Sequence, residues 1–141
     1  MGITQYKVGK SWEEELLKYY HDKDYWVYKI PTLNNGTIFD IIVVKGGSCL
    51  CIEAKHITGD KLYYKGCGIH KKRDELDRFV KRTNNNIYIM IKSDKLGYFW
   101  TTWVKAKPIF EEKGYLDLER DCYKGELWEK LKDQLKLVNI Y

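Results

Sequence analysis

The sequence predicts an α/β fold in which a mixed central β-sheet is flanked by α-helices. Two apolar runs joined by Gly46-Gly47 form a strong β-hairpin signal. Both runs are almost continuously apolar, which is typical of strands that are covered on both faces of a sheet. Stretches with helical apolar spacing precede and follow the hairpin. These observations together favour a mixed sheet flanked by helices.

Length and composition predict one globular domain that spans residues 1–141. Of the 141 residues, 44% are hydrophobic and 32% are charged, which is neither a disordered nor a fibrous composition. No run approaches the roughly 18 apolar residues of a membrane span, and the first residues lack a signal-peptide pattern. We therefore expect a soluble, cytoplasmic protein. The net charge of +5 permits a nucleic-acid partner without requiring one.

The four cysteines are interpreted as free thiols. Cys49 and Cys51 lie two residues apart on one strand face, where they cannot easily bridge each other. Cys67 and His70 have the C-x-x-H spacing of a zinc site, but no second matching pair follows. Whether these two residues bind metal stays open.

The first helix is expected to begin near Lys10 or Ser11, where Ser11 can cap it and Glu14 lies three residues on. Its apolar arc comprises Trp12, Leu16, Leu17, Tyr19 and Tyr20. The helical phase puts Glu13 inside that arc. A carboxylate there is costly unless it is paired or bound to a cation, and an edge glutamate that reaches solvent is the alternative.

Apolar residues at helical spacing and runs of β-forming residues predict the remaining elements. In chain order they are a strand at 25–30, the hairpin, a short strand at 61–65, a helix at 69–82, strands at 87–91 and 98–104, and a terminal helix at 124–138. The polar loop of residues 32–37 lies where it could fold over a site. The helix at 69–82 is crowded with cations, which form either a solvated face or a surface for phosphates.

The hairpin carries two acids whose register is unusual. Counting from the Gly-Gly turn, Asp40 falls opposite Glu53, and Ile38 falls opposite Lys55. Directly opposed side chains lie about 4.5–5.5 Å apart at Cβ, where like charges destabilise a sheet. A bound divalent cation would relieve that repulsion, and carboxylate oxygens suit Mg²⁺. Such an ion polarises a phosphate and activates water, while Lys55 is available to stabilise developing charge.

These residues resemble the PD-(D/E)XK nuclease motif, here Asp40-x12-Glu53-x-Lys55. The wider layout resembles the archaeal Holliday junction resolvases (Hjc). Gly9-Lys10-Ser11-Trp12-Glu13 is similar to their G-x-x-aromatic-E opening. Phe39-Asp40-Ile41-Ile42 and Cys51-Ile52-Glu53-Ala54-Lys55 are similar to their D-I-I and I-E-x-K core. The resemblance covers roughly residues 7 to 100 and extends to the related RecU-type resolvases.

The resemblance implies a restriction-endonuclease-like core and a homodimeric, Mg²⁺-dependent endonuclease, with Mn²⁺ as a substitute ion. Such an enzyme acts in DNA recombination and repair and nicks two strands symmetrically at a four-way (Holliday) junction, in an archaeal, bacterial or phage-infected cell. By motif, Asp40, Glu53 and the main-chain carbonyl of Ala54 are metal ligands, and Lys55 is the catalytic lysine. Glu13 is the helix-borne catalytic acid and a further candidate ligand.

Contacts to DNA are expected outside the hairpin. The candidates are two loop hydroxyls and three cations at the start of the basic helix, namely Thr32, Thr37, Lys71, Lys72 and Arg73. The chain also departs from the pattern that it resembles. Ile38 stands where RecU-type enzymes have a threonine, Lys72 stands where the helix often has a glutamine, and the segment after about Trp103 has no counterpart.

Three other functions remain as alternatives. The first is another PD-(D/E)XK nuclease, such as a restriction, homing or repair endonuclease that cuts linear duplex. The second is a non-catalytic DNA-binding module, against which the intact Asp40, Glu53 and Lys55 count. The third is a structural domain in which the acids are incidental, although a plain core would avoid facing carboxylates.

Overall fold

The computed structural model describes residues 2–31 and 38–125 of the chain. Its first half contains α1 (Gly2–Asp22), β1 (Trp26–Lys29), β2 (Ile41–Lys45), β3 (Ser48–Ile57) and β4 (Lys61–Tyr63). A 3-10 turn (Ile69–Lys72) leads into α2 (Arg73–Thr83), which is followed by β5 (Ile87–Ser93) and β6 (Gly97–Thr102). The described part ends with α3 (Trp103–Lys113), β7 (Tyr115–Asp117), α4 (Leu118–Asp121) and β8 (Tyr123–Lys124).

The central element is a six-stranded mixed sheet with the strand order β1-β2-β3-β5-β6-β8. β3 and β5 run parallel, and the other neighbouring strands of this sheet are antiparallel. The crossover from β3 to β5 contains α2 and also β4, which pairs with β7 in a separate two-stranded sheet. The predicted mixed sheet flanked by helices is therefore confirmed.

Two buried clusters cover the two faces of the sheet. On one face, Trp12 and Leu16 of α1 pack against strand residues that include Ile52. On the other face, Leu76 of α2 packs in a cluster with Cys51. Alternate side chains along β3 thus enter different clusters, as the almost continuously apolar hairpin strands predict. Within the described residues, no helix is both long enough and apolar enough to cross a membrane.

The hairpin turn determines the register of β2 and β3. Gly46 and Gly47 have φ angles of +55° and +82°, a combination that suits a two-residue turn and favours glycine. Lys45 pairs with Ser48, and the ladder continues in that register to Ile41 and Ile52. The predicted register is confirmed over this whole length.

The first helix is longer than predicted. It begins at Gly2 and passes through Ser11, so the expected start near Lys10 or Ser11 is wrong. No proline interrupts residues 2–10. Gly9, which lies inside the helix, costs roughly 1 kcal/mol relative to alanine, and this is too little to end a helix.

The strand predicted at 98–104 ends earlier, because a helix begins at Trp103. The side chain of Thr102 caps α3 by accepting a hydrogen bond from the Lys105 N–H at 3.3 Å. Gly114, with a φ of +82°, ends the helix. Pro108 lies inside α3 and weakens its sequence signal. The terminal helix predicted at 124–138 is wrong at its start, since β8 includes Lys124, and residues 126–138 lie outside the described residues.

Asp77 links α2 to α3. Its carboxylate accepts hydrogen bonds from Trp103 Nε1 at 2.8 Å and from Lys107 Nζ at 2.7 Å. Burial acts to raise the pKa of Asp77, but these bonds outweigh burial and lower it. Replacing Asp77 by alanine would remove the carboxylate that accepts the hydrogen bond of the buried Trp103 Nε1–H. We expect Asp77→Ala to lower the free energy of unfolding by about 1–3 kcal/mol in urea titrations.

A matched control for Asp77→Ala lies on α3. Glu112 is an exposed carboxylate, so Glu112→Ala should change the free energy of unfolding by no more than about 0.5 kcal/mol. Equal effects of the two substitutions would contradict a specific role for Asp77 in joining the helices.

Candidate active site

Asp40 lies where the ladder between β2 and β3 ends. The last pair is Ile41 with Ile52, and the chain bends at Asp40. The N–H of Asp40 donates to the Ile52 carbonyl at 2.8 Å, and its Oδ2 accepts from the Ala54 N–H at 2.8 Å. These bonds hold the carboxylate at the end of the strand.

This arrangement corrects the predicted opposition of Asp40 with Glu53 and of Ile38 with Lys55, because neither is a ladder pair. Continued register would bring residue 39 opposite Ala54. The side chain of Asp40 instead provides the acceptor for the Ala54 N–H. A carboxylate therefore replaces a main-chain acceptor at this position, and regular pairing stops.

Glu53 is a buried acid between two lysines. It is 2% exposed, and its carboxylate oxygens lie 3.0 Å from Lys72 Nζ and 3.4 Å from Lys55 Nζ. Burial, and after it the charge of Asp40, raise the pKa of Glu53 to about 7 against the effect of both lysines. Two carboxylates are thus close enough to disfavour each other's charge, and a further cation beside them would relieve that cost.

Lys55 is held in one orientation. Its Nζ donates to the Cys67 carbonyl at 3.0 Å and pairs with Glu53. Burial acts to lower the pKa of Lys55, but the charges of Glu53, Cys67 and Asp40 and the hydrogen bond to Glu53 together outweigh burial and raise it. Lys55 is therefore protonated at neutral pH, so it can act as a charged hydrogen-bond donor and not as a base.

Glu13 approaches Asp40 from α1. Its Oε2 lies 3.3 Å from Lys29 Nζ, and its side chain is 23% exposed. Burial and the charge of Asp40 raise the pKa of Glu13, while Lys29 and Lys55 act to lower it. Glu13 is therefore a half-buried, paired acid whose electrostatic environment includes Asp40 and Lys55.

The predicted DNA-contacting residues lie in different places. Thr32 and Thr37 are outside the described residues. Lys71 and Arg73 are exposed, and Arg73 pairs with Glu111 at 2.6 Å. Lys72 instead reaches the acidic site through its bond to Glu53. One signal in the sequence indicated that Lys72 could donate a hydrogen bond in the site. It stands where the resembled family often has a glutamine, whose amide is also a hydrogen-bond donor.

Two carboxylates and a main-chain carbonyl are the oxygen donors that this site offers to a metal ion. Larger metal sites are absent from the described residues: within 2–31 and 38–125, no group of three or more His, Cys, Asp or Glu side chains is arranged to hold a metal. Cys67 and His70 therefore do not belong to such a group, and the four cysteines are free thiols. Mg²⁺ usually takes one or two protein carboxylates and keeps several waters. Asp40, Glu53 and the Ala54 carbonyl are the residues that would hold it, and the raised pKa of Glu53 is what a cation would reverse.

Comparisons with known proteins address the family and the fold. The sequence profile of the archaeal Holliday junction resolvase (Hjc) family matches residues 4–124. The structure of Archaeoglobus fulgidus Hjc, a Holliday junction resolvase from an archaeal hyperthermophile, matches with a TM-score of 0.50 at 18% identity. This match covers 67% of the present chain and 71% of the Archaeoglobus chain. A search of curated protein sequences found no match.

The structural match concerns the fold, while the profile match concerns descent and spans most of the chain. The profile includes both hairpin acids, Lys55 and the crossover that carries Lys72. The resemblance and the restriction-endonuclease-like fold expected from the sequence are thereby confirmed, and the chain belongs to the archaeal Holliday junction resolvase family.

Proposed function

We propose that this protein is a Mg²⁺-dependent endonuclease that resolves four-way DNA junctions by paired symmetrical nicks. The observation that carries this proposal is the cluster in which buried Glu53 contacts Lys55 and Lys72 beside Asp40, in a chain of this family. A plain structural core has no use for such a cluster, because buried charges are costly without a function.

The roles of the residues follow from their contacts. Asp40, Glu53 and the Ala54 carbonyl would hold the ion, which when bound supplies a Lewis acid for the phosphate and a water of lowered pKa. Lys55 is protonated and fixed, so it stabilises negative charge that develops on the phosphate. Glu13 is held by its ion pair with Lys29 and is disfavoured as a charge by Asp40. A cation shared with Asp40 would relieve that repulsion, so Glu13 is a candidate for a further ligand.

The surface of α2 is the proposed site for the DNA backbone. Arg78, Lys81 and Arg82 line one depression on this helix, and all three are exposed. Lys71 and Arg73, the exposed neighbours of Lys72 in sequence, are further candidates, although Arg73 also pairs with Glu111. Thr32 and Thr37 are the loop candidates. Contacts of this kind release counterions, so affinity should fall steeply with salt. A C2 homodimer would match the approximate two-fold symmetry of a junction.

The test is cleavage of a labelled four-way junction, a linear duplex and a single strand, each with and without Mg²⁺. We expect paired symmetrical nicks in the junction alone and only with the ion. Sedimentation of the free protein reports the dimer. Equal cutting of all three substrates would contradict junction selectivity. Cutting of linear duplex at one sequence would favour a restriction, homing or repair endonuclease.

Lys72 competes with the ion for Glu53 in this proposal. Its Nζ lies 3.0 Å from a Glu53 oxygen, and a positive charge so close to a metal ligand disfavours a second cation. We expect Lys72→Gln, which keeps a donor but removes the charge, to tighten Mn²⁺ binding at pH 8 about tenfold. Isothermal titration calorimetry measures this without DNA. Lys71→Gln is the matched control, and identical affinities in both variants and the wild type would contradict the competition.

A further inference from the structure

Two large aromatic side chains are left in solvent on β1. Trp26 is 60% exposed and Tyr28 is 46% exposed. Their ring centroids lie 5.9 Å apart, and their planes differ by 6°. β1 is at the end of the strand order, so no other strand of the described residues flanks its outer edge. The two rings therefore form a nearly parallel, solvent-facing aromatic surface.

This aromatic surface lies on the same face of the sheet as Glu53. Tyr28 pairs with Ile42, and Ile42 pairs with Cys51. Directly paired residues share a face, and side chains two residues apart along a strand also share it. Glu53 follows Cys51 by two residues. Residues that are paired across neighbouring strands form one row of the sheet. On this face Tyr28 lies in the row next to that of Glu53, and Trp26 lies one row further.

The end of β1 is also attached to Asp40. The N–H of Ile30 donates to the Asp40 carbonyl at 2.9 Å. With rows spaced by two residues and strands about 4.8 Å apart, the Cα atoms of Tyr28 and Glu53 are separated by roughly 12 Å. A DNA strand whose phosphate lies at the two carboxylates would therefore bring its neighbouring bases within reach of the rings.

The size of the surface indicates what it binds. The exposed fractions of the two side chains correspond to roughly 250 Å² of ring surface. A stable protein–protein interface needs about 800 Å² from each partner, so this surface is too small to hold a second copy of the chain by itself. A flat aromatic ligand of the size of a nucleobase fits it.

Cations on the same face of the sheet favour DNA over an uncharged ligand. Cys51 belongs to the cluster that contains Leu76 of α2, so α2 covers the same face of the sheet. That helix exposes Arg78, Lys81 and Arg82. Proteins bind unpaired nucleic-acid strands by combining stacking on exposed aromatic rings with cationic contacts to phosphates, and this face of the sheet carries both kinds of side chain.

We propose that Trp26 and Tyr28 form a stacking platform for an unpaired nucleobase of the DNA strand that is cut. The proposal rests on the proposed function and adds a means of choosing the substrate. The bases of an intact duplex are stacked inside the helix and cannot reach the rings. Bases at a branch point can be unstacked at lower cost, so the platform favours branched over linear DNA.

The experiment measures binding of the full-length protein by fluorescence anisotropy in Ca²⁺, with a four-way junction and with linear duplex. Trp26→Ala should weaken binding to the junction about tenfold, within the range expected for a lost base–aromatic contact, and change duplex binding less than twofold. Trp26→Phe keeps a ring and should retain most of the affinity. Tyr63→Ala is the matched control, because Tyr63 is 56% exposed on β4 in the separate sheet.

A second readout reports stacking directly. A 2-aminopurine placed next to the branch point should be quenched by the wild type and regain fluorescence with Trp26→Ala. Unchanged junction affinity and unchanged quenching in Trp26→Ala would overturn the platform. A dimeric wild type together with a monomeric Trp26→Ala in sedimentation would also overturn the platform, because the surface would then be an interface between two copies of the chain. A wild type that neither binds nor cuts junctions would instead refute the proposed function.

Discussion

Replacement of Asp40 by asparagine is expected to lower junction cleavage by at least about 10³-fold while leaving the protein folded. Asparagine retains an oxygen that can accept the Ala54 N–H bond made by Oδ2 in the wild type, so the strand end keeps its geometry. It removes the negative charge that a hard cation requires. A 10³-fold loss corresponds to about 4 kcal/mol of transition-state stabilisation, which is the scale of losing metal-assisted charge stabilisation.

Single-turnover rates at saturating Mg²⁺ measure the Asp40 effect, together with Tm and junction affinity in Ca²⁺. Asp22→Asn is the matched control, because Asp22 is an exposed acid at the end of α1 and its substitution should leave the rate unchanged. Wild-type cleavage by Asp40→Asn would refute the proposed site. A large drop in Tm would instead assign the loss to the broken hydrogen bond.

The hairpin could be predicted almost completely because its determinants are local. A two-residue Gly-Gly turn admits one register, and each later pair follows from it. Prediction failed at Asp40, where a side chain takes over a main-chain hydrogen bond. Counting residues assumes a regular ladder and cannot detect that exchange. The two acids come close to each other all the same, as the effect of Asp40 on the pKa of Glu53 indicates.

The place of Lys72 could not be predicted in the same way. Its bond to Glu53 joins residues that are 19 apart in sequence, and it depends on how the crossover between β3 and β5 folds back over the sheet. Helical periodicity assigned Lys72 to a cationic outer face, but the 3-10 turn before α2 changes the phase. Tertiary packing determines the direction of the Lys72 side chain, and helical periodicity in the sequence carries no information about that packing.

The start of α3 was missed for a different reason. Residues from Tyr98 to Trp103 are dense in β-formers, and the cap at Thr102 turns this run from a strand into a helix within one residue. The apolar side chains of Trp103, Ala106 and Phe110 are buried at helical spacing. That spacing was available in the sequence, but local β-propensity and Pro108 both argued against it.

The second large effect concerns Glu53 and pH. In the metal-free protein, burial and Asp40 raise the pKa of Glu53 to about 7 from an ordinary value of 4.5. The folded state then binds this proton more tightly than the unfolded chain does. Between these two values unfolding releases a proton, so stability falls as pH rises, by up to about 1.4 kcal/mol per pH unit. Above pH 7 the contribution of Glu53 is constant.

Magnesium should oppose that trend. An ion held by Glu53, as proposed, requires the ionised carboxylate, so proton and ion would compete. The Kd for Mg²⁺ should then increase up to about tenfold per pH unit below 7. The increase in Tm on adding Mg²⁺ is therefore expected to be larger at pH 8 than at pH 6. Thermal unfolding from pH 5 to 9, with and without the ion, measures both effects.

Comparing Glu53→Gln with the wild type isolates the contribution of Glu53 to the pH dependence of stability. Glutamine has a similar shape but does not ionise, so the variant should lose the increase in Tm with Mg²⁺ and the part of the decline in stability between pH 4.5 and 7 that Glu53 contributes. Glu13, whose pKa is also raised, should keep its own part of the decline. Glu15→Gln is the control, since Glu15 pairs with Lys92 at 2.8 Å on an exposed part of α1 and should leave both effects in place. If Glu53→Gln retained the wild-type pH profile, the source of the profile would lie elsewhere. If it retained the Mg²⁺ effect, Glu53 would not be a ligand, because a neutral amide cannot replace a carboxylate beside Asp40 without weakening the ion's binding.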